Sequence, residues 1–223
     1  MGSAPDRRLL LQQLKAAAVS RGPELCLTVG SPVQALLRPV PTAAAHLDEE
    51  DIRCLTDWRN RHVQSFLTEF TATTARTAVW LSEIVGPDDT RILFMVNDLH
   101  GRTLGYMGLG FIDWPRARGE ADAVVRGSDA PRGLMSTALR TLLAWAENQL
   151  GLHAFGVRVR SDNTAVEFYR KLGFCDVRRV PLRRTVEGET VRWVEDGEAA
   201  SGGISLVHME RQAAVVDEPD CTS

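Results

Sequence analysis

The spacing of apolar and polar positions divides the chain into helices and strands. Apolar residues three and four positions apart predict amphipathic helices, because this spacing puts them on one helix face. Helices are predicted in this way at 8–19, 47–64, 71–85, 134–150 and 164–172. Short apolar or alternating runs bounded by Gly, Pro or Asn predict strands. Strands are predicted at 33–40, 91–96, 103–114, 121–125, 155–159, 177–181 and 204–208, with a hairpin arm at 185–198.

The order of these elements indicates the architecture. They follow one another as β-α-α-β-β-β-α-β-α-β-β, which predicts an α/β fold with a mixed sheet and helices on both faces. The run at 91–96 is almost continuously apolar, as in a strand covered on both sides. We assign residues 1–30 to an N-terminal helical extension, 31–210 to one domain and 211–223 to a flexible tail.

Composition narrows the class of protein. The chain has 223 residues, of which 44% are hydrophobic and 25% charged, as in an ordinary globular domain. A net charge of -3 gives no general attraction for nucleic acid, so no such partner is expected. No apolar run reaches the ~18 residues of a membrane helix, which predicts no membrane association and a cytoplasmic location. The four cysteines form no CxxC pair and no metal-ligand spacing occurs, so no metal is expected.

A loop that leads directly into the helix at 134–150 is the first candidate for chemistry. The junction reads Ala130-Pro131-Arg132-Gly133-Leu134-Met135. The first N–H groups of a helix have no partner within it, and with the helix dipole they bind phosphate. Arg132 adds a positive charge. The same sequence also suits a simple turn at Gly133.

A second motif follows the strand at 155–159. The chain runs through Ser161-Asp162-Asn163-Thr164-Ala165 into Phe168-Tyr169-Arg170-Lys171-Leu172-Gly173-Phe174. A strand that leads to Asn, followed by a helix that carries Tyr and ends in Leu-Gly-Phe, closely resembles the C-terminal half of the GNAT acetyltransferases. The resemblance extends in element order from Leu37 to Pro181, and its specific motifs lie within 121–174.

This resemblance implies that acetyl-CoA binds in a gap where the strands at 121–125 and 155–159 splay apart. The pantetheine would pair with the first strand, the pyrophosphate would lie on the loop and helix start, and Asn163 would bond the pantetheine arm. The expected coenzyme contacts are Val124, Val125, Arg126, Arg132, Gly133, Leu134, Met135, Ser136, Asn163 and Tyr169. The loop departs from the family pattern Arg/Gln-x-x-Gly-x-Gly/Ala, because Ala130 and Met135 occupy its first and last positions.

Three side chains are candidates for acid–base catalysis. Glu120 and Asp122 are two residues apart in a strand, so both project to one face, where either can accept a proton from an attacking amine. They also suit a solvated pair at a strand edge. Tyr169, which the resemblance places near the thioester sulfur, is the candidate general acid, or else a packing residue. A backbone N–H at 124–126 would stabilise the thioester oxygen.

The segment Trp58-Arg59-Asn60 suggests where the acceptor binds. It resembles the corresponding segment of relatives that acetylate amino groups on nucleotide-linked sugars. Trp58 would stack on a ring and Arg59 would meet a phosphate, with Asn60 and Asp122 as further acceptor contacts. Trp58 also suits a core position, and Arg59 a surface charge.

The resemblance therefore predicts an acetyl-CoA-dependent N-acetyltransferase that acts on a small-molecule amine. An amino sugar or natural-product intermediate is the first choice of acceptor, and a protein N-terminal amine is the second. A non-catalytic acyl-CoA-binding module is the alternative from another class of protein. Family members are often dimers, so the resemblance also allows a homodimer.

Overall fold

The computed structural model describes residues 7–127, 129–198 and 203–212, with the side chain of 212 excepted. The α-helices are α1 (Arg7–Ala17), α2 (Glu49–Arg61), α3 (Thr74–Val79), α4 (Leu134–Trp145) and α5 (Ala165–Arg170). Helices α3 and α4 continue as π-helical turns over Trp80–Val85 and Ala146–Leu150. Short 3-10 turns occupy Ala18–Ser20, Pro23–Leu25, Ala44–His46 and Val63–Ser65. The strands are β1 (Leu27–Val29), β2 (Ala35–Pro39), β3 (Thr68–Glu69), β4 (Ile92–Asn97), β5 (Thr103–Asp113), β6 (Arg118–Arg126), β7 (Ala154–Arg160), β8 (Cys175–Glu187), β9 (Thr190–Glu195) and β10 (Ser205–Gln212).

The strands form one mixed sheet in the order β1-β2-β4-β5-β6-β7-β10-β8-β9-β3. Strands β6 and β7 pair in parallel, and the other neighbouring strands pair antiparallel. The parallel pair is joined through α4, as a parallel connection requires a long crossover. The predicted α/β fold with a mixed central sheet is confirmed.

Helices cover the sheet on both faces, and β4 shows how the sequence achieves this. Its residues alternate between the two faces. Ile92, Phe94 and Val96 pack in the hydrophobic cluster under α1, α4 and α5. Leu93 and Met95 pack in the other cluster, under α2 and the π-helical turn after α3. The continuous apolar run at 91–96 therefore marks a strand buried on both sides, as predicted.

The N-terminal segment packs against the rest of the chain. Leu11 of α1 is fully buried in the core, and β1 pairs with β2 along the sheet edge. Strand β1 lies within the segment that we predicted as a helical extension, and its three residues are too few to show a strand pattern. At the other end, β10 runs to Gln212, so its last two residues belong to the sheet rather than to the predicted tail. Residues 213–223 lie outside the described part of the chain.

The predicted hairpin arm is present, and its paired region spans 182–195 rather than 185–198. Strands β8 and β9 pair from Leu182↔Glu195 to Glu187↔Thr190, and Gly188 in the turn has a φ of 59°. The two-residue strand β3 adds to β9. This contact brings the arm against the segment between α2 and α3, which forms part of the site described next.

Candidate active site

The neighbouring parallel strands β6 and β7 pair over only three residues. The pairs are Arg118↔Ala154, Gly119↔Phe155 and Glu120↔Gly156. Both strands continue without further pairing to each other, while β6 stays paired with β5 as far as Arg126. The sheet therefore opens into a wedge, and the predicted splay after Ala121 is confirmed.

A bulge in β6 accompanies this opening. Tyr106 pairs with Val125 and Gly108 with Asp122, so two residues of β6 face the single residue between them on β5. One of the two, Ala123, has a left-handed φ of 52°. Bulges bend a strand and re-aim its side chains, which accounts for the departure of β6 from β7 at this point.

Two glycines in β5 make room for side chains of the site. A Cβ atom at Gly110 would lie 2.9 Å from Oδ2 of Asp122, and one at Gly105 would lie 3.1 Å from Sδ of Met135. Met135, which departs from the family loop pattern, is buried and packs against β5. Its side chain therefore does not obstruct the outer side of the loop.

The loop before α4 has an open backbone. Gly133 has a φ of 87°, and nothing lies within 4 Å of the position of a Cβ atom there. Pro131 and Arg132 are exposed, whereas Leu134 is buried beneath them. A helix start with exposed backbone and a guanidinium group beside it fits a phosphate.

A cavity of about 840 Å³ extends from the wedge to α2, α3 and the segment between them. Eight of the residues predicted for the site line it: Arg59, Glu120, Asp122, Val124, Val125, Arg126, Asn163 and Tyr169. The other predicted residues lie outside its wall: Trp58, Asn60, Arg132, Gly133, Leu134, Met135 and Ser136. The last five form the loop and helix start already described.

Trp58 and Asn60 support the cavity wall from behind, which corrects their predicted contact with the acceptor. Trp58 is 7% exposed and stacks on Tyr106, with ring centroids 6.1 Å apart. The amide of Asn60 bonds both backbone groups of Ala72, donating from Nδ2 at 3.0 Å and accepting at Oδ1 at 2.7 Å. Helical periodicity places Trp58 on the core face of α2, so the alternative interpretation as a core residue is correct.

Arg59 does face the cavity, and it carries an unusual guanidinium. Its Nη2 donates to the carbonyl of Thr68 at 2.7 Å, and the group stacks on Phe66 and Phe70, at 4.0 and 4.5 Å from the ring centroids. Burial lowers the pKa of this side chain. Nη1 is shielded from solvent and has no acceptor among the described residues.

Asp122 is the carboxylate best placed to act as a base. Its side chain is 29% exposed, and its Oδ2 lies 3.4 Å from Nε of Arg91. Desolvation raises the pKa of this carboxyl above its ordinary value, and the Arg91 charge opposes the shift in part. A raised pKa makes the carboxylate a stronger base. Glu120 instead accepts a bond from Nε of Arg158 at 2.8 Å, which holds its carboxylate in place.

Tyr169 and Asn163 lie on the wedge side of the cavity. The Tyr169 ring packs edge-on against Phe168 and Phe174, with centroids 5.1 and 5.5 Å away. Burial raises the pKa of its hydroxyl, with a smaller contribution from the charge of Asp122. The phenol is therefore protonated at neutral pH and can act as a donor. Asn163 accepts from the backbone N–H of Ala165 at 2.9 Å, which closes a turn directly before α5.

Sequence reasoning missed several residues that line the cavity: Arg91, Tyr106, Phe111, Arg158 and Arg160. Tyr106 is only 3% exposed, burial raises its pKa, and the charges of both Arg59 and Asp122 act on it. Arg91 and Tyr106 lie within or beside apolar runs that indicate only strands. The alternation of Val and Arg over 157–160 was a usable signal, because arginines are not expected in a strand inside a sheet unless they face a polar space.

The strand wedge, the open helix start and the adjoining chamber with Asp122 define an acyltransferase that takes its acyl group from a coenzyme A thioester. The chain belongs to the GNAT acetyltransferase family, because residues 36–175 match the family profile described as an acetyltransferase (GNAT) domain. It is thus an acetyl-CoA-dependent N-acetyltransferase. The predicted enzyme class, an N-acetyltransferase, and the predicted acyl donor, acetyl-CoA, are confirmed.

Solved structures with the same fold include spermidine N-acetyltransferase from Vibrio cholerae. Its complex with CoA and spermine gives a TM-score of 0.61 at 18% identity, over 80% of this chain and 95% of that chain. Its complex with manganese ions gives 0.57 at 18% identity, over 80% and 92%. Its dodecameric structure in an intermediate state gives 0.58 at 18% identity, over 80% and 94%. At this identity the likeness extends to the fold. No curated protein sequence matches the chain significantly.

Two further observations concern the described residues alone. None of their helices has the length and apolar character needed to cross a membrane. Their His, Cys, Asp and Glu side chains form no group of three or more that could hold a metal ion.

Proposed function

We propose that this acetyltransferase acts on the primary amine of an amino sugar or an aminated natural-product intermediate, by direct attack within a ternary complex. One observation carries the proposal: the strand wedge and an aromatic-walled chamber form a single cavity of about 840 Å³, which Asp122 lines. A thioester bound in the wedge and an amine bound in the chamber would be neighbours. Such proximity supplies much of the acceleration in a two-substrate reaction.

The residues of the wedge suit the acyl donor. When bound, acetyl-CoA supplies an activated acetyl thioester. The backbone of Val124, Val125 and Arg126, which has no partner on β7, would hold the pantetheine. The helix start from Arg132 to Ser136 would hold the pyrophosphate. Asn163 would donate from Nδ2 to the pantetheine arm, because its Oδ1 already accepts from the backbone N–H of Ala165.

Asp122 would accept the proton of the attacking amine, directly or through water. Its raised pKa and its position on the cavity wall support this role. Tyr169 would donate a proton to the departing thiolate, and its position on the cavity wall supports this role. The ion pair of Glu120 with Arg158 makes Glu120 the weaker candidate base.

The chamber beyond Asp122 suits a ring-shaped acceptor. Aromatic side chains form much of its wall: Phe66, Phe70, Trp80 and Phe111. Aromatic faces stack well on sugar rings and other flat apolar surfaces. These four residues replace Trp58 as the candidates for contact with a ring, and Arg59 stays a candidate for contact with the acceptor.

A polyamine is the second candidate acceptor. The observation in its favour is the likeness of the fold to spermidine N-acetyltransferase, which is 18% identical to this chain. The two candidates differ in shape and charge, so the same assay separates them.

Thiol release from acetyl-CoA, followed across a panel of amines, tests the proposal. The panel holds amino sugars and their nucleotide-linked forms, spermidine, and peptides with free N-termini, and calorimetry measures acetyl-CoA binding in parallel. We expect release with sugar amines and little with peptides. Release with spermidine alone would establish the polyamine, and release with peptides alone the protein N-terminal amine. Tight acetyl-CoA binding without release for any amine would favour a non-catalytic module.

A further inference from the structure

One part of the cavity wall combines two arginines with two phenylalanines. We call it the Arg59 wall, and it is formed by Arg59, Phe66, Phe70 and Arg76. The guanidinium carbons of Arg59 and Arg76 lie 4.5 and 4.7 Å from the centroid of the same ring, Phe70. Stacking on aromatic rings fixes guanidinium groups in place without using their hydrogen-bond donors. The Arg59 wall therefore presents two guanidinium groups that are fixed in place by an aromatic ring.

Apart from Arg126, which donates to the carbonyl of Ala130, the other arginines and carboxylates of the cavity wall are already matched. Among the described residues that line the cavity, the two carboxylates are Glu120 and Asp122. Arg158 pairs with the first at 2.8 Å, and Arg91 lies 3.4 Å from the second. Arg160 pairs with Glu69 and Asp162, each at 2.7 Å. Two charged groups held near one another in this way largely cancel each other's attraction for a ligand.

Arg59 and Arg76 have no such match. Neither lies within ion-pair distance of a carboxylate in the described part of the chain. Among the described residues, the side chain of Arg76 bonds the carbonyl of Thr71 alone, at 3.4 Å, and that of Arg59 bonds the carbonyl of Thr68 alone. Nη1 of Arg59 is shielded from water and unpartnered. A shielded donor without an acceptor is costly unless a partner arrives.

Arg59 and Asp122 line the same cavity, so together they can orient a bound acceptor. The charges of Arg59 and Asp122 both act on the Tyr106 hydroxyl, so the cation of the Arg59 wall and the candidate base belong to one neighbourhood of the cavity. Tyr106 itself lines the cavity. One molecule in this cavity could therefore hold its amine at Asp122 and an anionic group at the Arg59 wall.

We infer that the acceptor carries an oxyanion, a phosphate or a carboxylate, which the Arg59 wall binds while the amine lies at Asp122. This inference rests on the proposed function and narrows it to anionic sugar amines. Guanidinium groups are well suited to oxyanions, because their donors match paired oxygens. A polyamine carries only positive charge, and among the described residues of this cavity it would meet unpaired arginines and no unpaired carboxylate. The acceptor would therefore differ from that named for the structural relative, spermine.

Direct binding of sugars without an amine tests the inference independently of catalysis. The protein is first saturated with CoA, so that phosphate groups cannot bind at the coenzyme loop. Calorimetry then compares glucose, glucose 6-phosphate, UDP-glucose and glucuronate. We expect at least one of the anionic sugars to bind about tenfold or more tightly than glucose. A preference for the phosphates or for glucuronate identifies which oxyanion the site takes.

Variants connect that preference to the Arg59 wall. Arg59→Met removes the shielded guanidinium, and Arg76→Met removes the exposed one, whose loss cannot disturb the core. We expect each to reduce the anionic preference about tenfold. Arg140→Met is the matched control, because Arg140 is an exposed residue on α4 outside the cavity wall. It is expected to leave the preference unchanged.

The two possible failures are distinguishable. Equal binding of glucose and all the anionic sugars, or an anionic preference that survives both variants, overturns the oxyanion inference. Stronger competition by spermidine than by the anionic sugars overturns it as well. The proposed function fails separately, when no sugar amine of the panel is acetylated, whichever sugars bind.

Discussion

Nε of Arg91 lies 3.4 Å from Oδ2 of Asp122, and both side chains are partly exposed to the cavity. On its other side, Arg91 lies 4.0 Å from Oδ2 of Asp88. The backbone carbonyl of Asp88 accepts a bond from Nζ of Lys15 at 2.5 Å. A series of polar contacts therefore connects helix α1 to the candidate base, and Arg91 limits how far desolvation raises the pKa of Asp122.

Asp122→Asn tests the candidate base. The amide keeps the shape of the side chain and cannot accept the amine proton, so we expect kcat to fall about 100-fold or more. Acetyl-CoA binding, measured by calorimetry, should stay close to wild type. Glu120→Gln is the matched control, because Glu120 pairs with Arg158, and its kcat should change less than about tenfold. A larger loss in Glu120→Gln than in Asp122→Asn would transfer the role to Glu120.

The pH dependence of kcat/KM tests the same carboxyl in another way. The base acts when ionised, so activity is present above its pKa and is lost as the pH falls through it. Desolvation raises the pKa of Asp122 above the ordinary 3.8, so we expect the acid limb of the wild-type profile to lie above that pH. The residual activity of Asp122→Asn should lack this limb. A wild-type profile that stays flat down to pH 3.8 would contradict the assignment.

Tyr169→Phe tests the proposed general acid. Without the hydroxyl, the departing CoA thiolate has no proton donor at this position, so we expect kcat to fall roughly 10- to 100-fold. The dissociation constant of acetyl-CoA should change much less, because the ring still packs between Phe168 and Phe174. Rapid-quench kinetics and calorimetry measure the two quantities. Tyr106→Phe removes another buried hydroxyl from the cavity and should mainly raise the acceptor KM. Unchanged turnover in Tyr169→Phe would remove its role as an acid.

Lys15→Met tests how α1 is attached. Nζ of Lys15 donates to the carbonyls of Val85, Gly86 and Asp88 at 2.6, 3.2 and 2.5 Å. Methionine keeps much of the apolar stem but leaves these acceptors without the ammonium, which should cost about 2–3 kcal/mol of unfolding free energy. Chemical denaturation measures this, with the exposed Lys171→Met expected within about 0.5 kcal/mol of wild type.

The same side chain predicts a pH effect on stability. Burial lowers the pKa of Lys15 from 10.5 to about 8. Between these two pH values the unfolded chain holds the proton that the folded protein has released, so unfolding free energy rises with pH. Relative to Lys15→Met, the wild type should gain up to about 1.4 kcal/mol per pH unit over this interval. No difference in slope between the two proteins would contradict the lowered pKa.

Arg160 links the wedge to the hairpin arm. Its side chain is 5% exposed, bonds Glu69 and Asp162, and lies 4.3 Å from the ring centroid of Trp193. Arg160→Met would release the arm from the chamber wall, and we expect the acceptor KM to rise about tenfold, with an unfolding free energy lower by about 1–3 kcal/mol. Arg183→Met, which breaks an exposed ion pair on the same arm, is the control. A wild-type acceptor KM in Arg160→Met would refute the link.

The elements with strong periodicity could be predicted from the sequence, and so could the wedge that they frame. The apolar run at 91–96 and the long helix after Gly133 gave clear patterns, and the motif from Asn163 to Phe174 indicated the family. Short elements could not be predicted, since the three residues of β1 and the two of β3 are too few to show a period. Strand β1 forms by pairing with the next strand, β2, and β3 by pairing with β9, which is distant in the chain.

The acceptor chamber was less accessible to sequence reasoning. Its wall combines residues from α2, the segment after it, β4, β5 and β7, and no local pattern states which faces will meet. The resemblance of its segment predicts that Trp58 contacts the acceptor. The geometry of α2 instead points this side chain into the core. Tyr106 sits in an apolar run, where only the structure shows that its hydroxyl reaches the cavity.

Amide hydrogen exchange along β6, with and without CoA, tests the central claim that the wedge binds the coenzyme. The amides beyond Glu120 that are not bonded to β5 should exchange rapidly in the free protein, because β7 supplies them with no acceptor. Saturating CoA should slow them about tenfold or more, while amides at 118–120, already paired with β7, should change little. Bound CoA that leaves exchange over 121–126 unchanged, or full protection there in the free protein, would contradict the account.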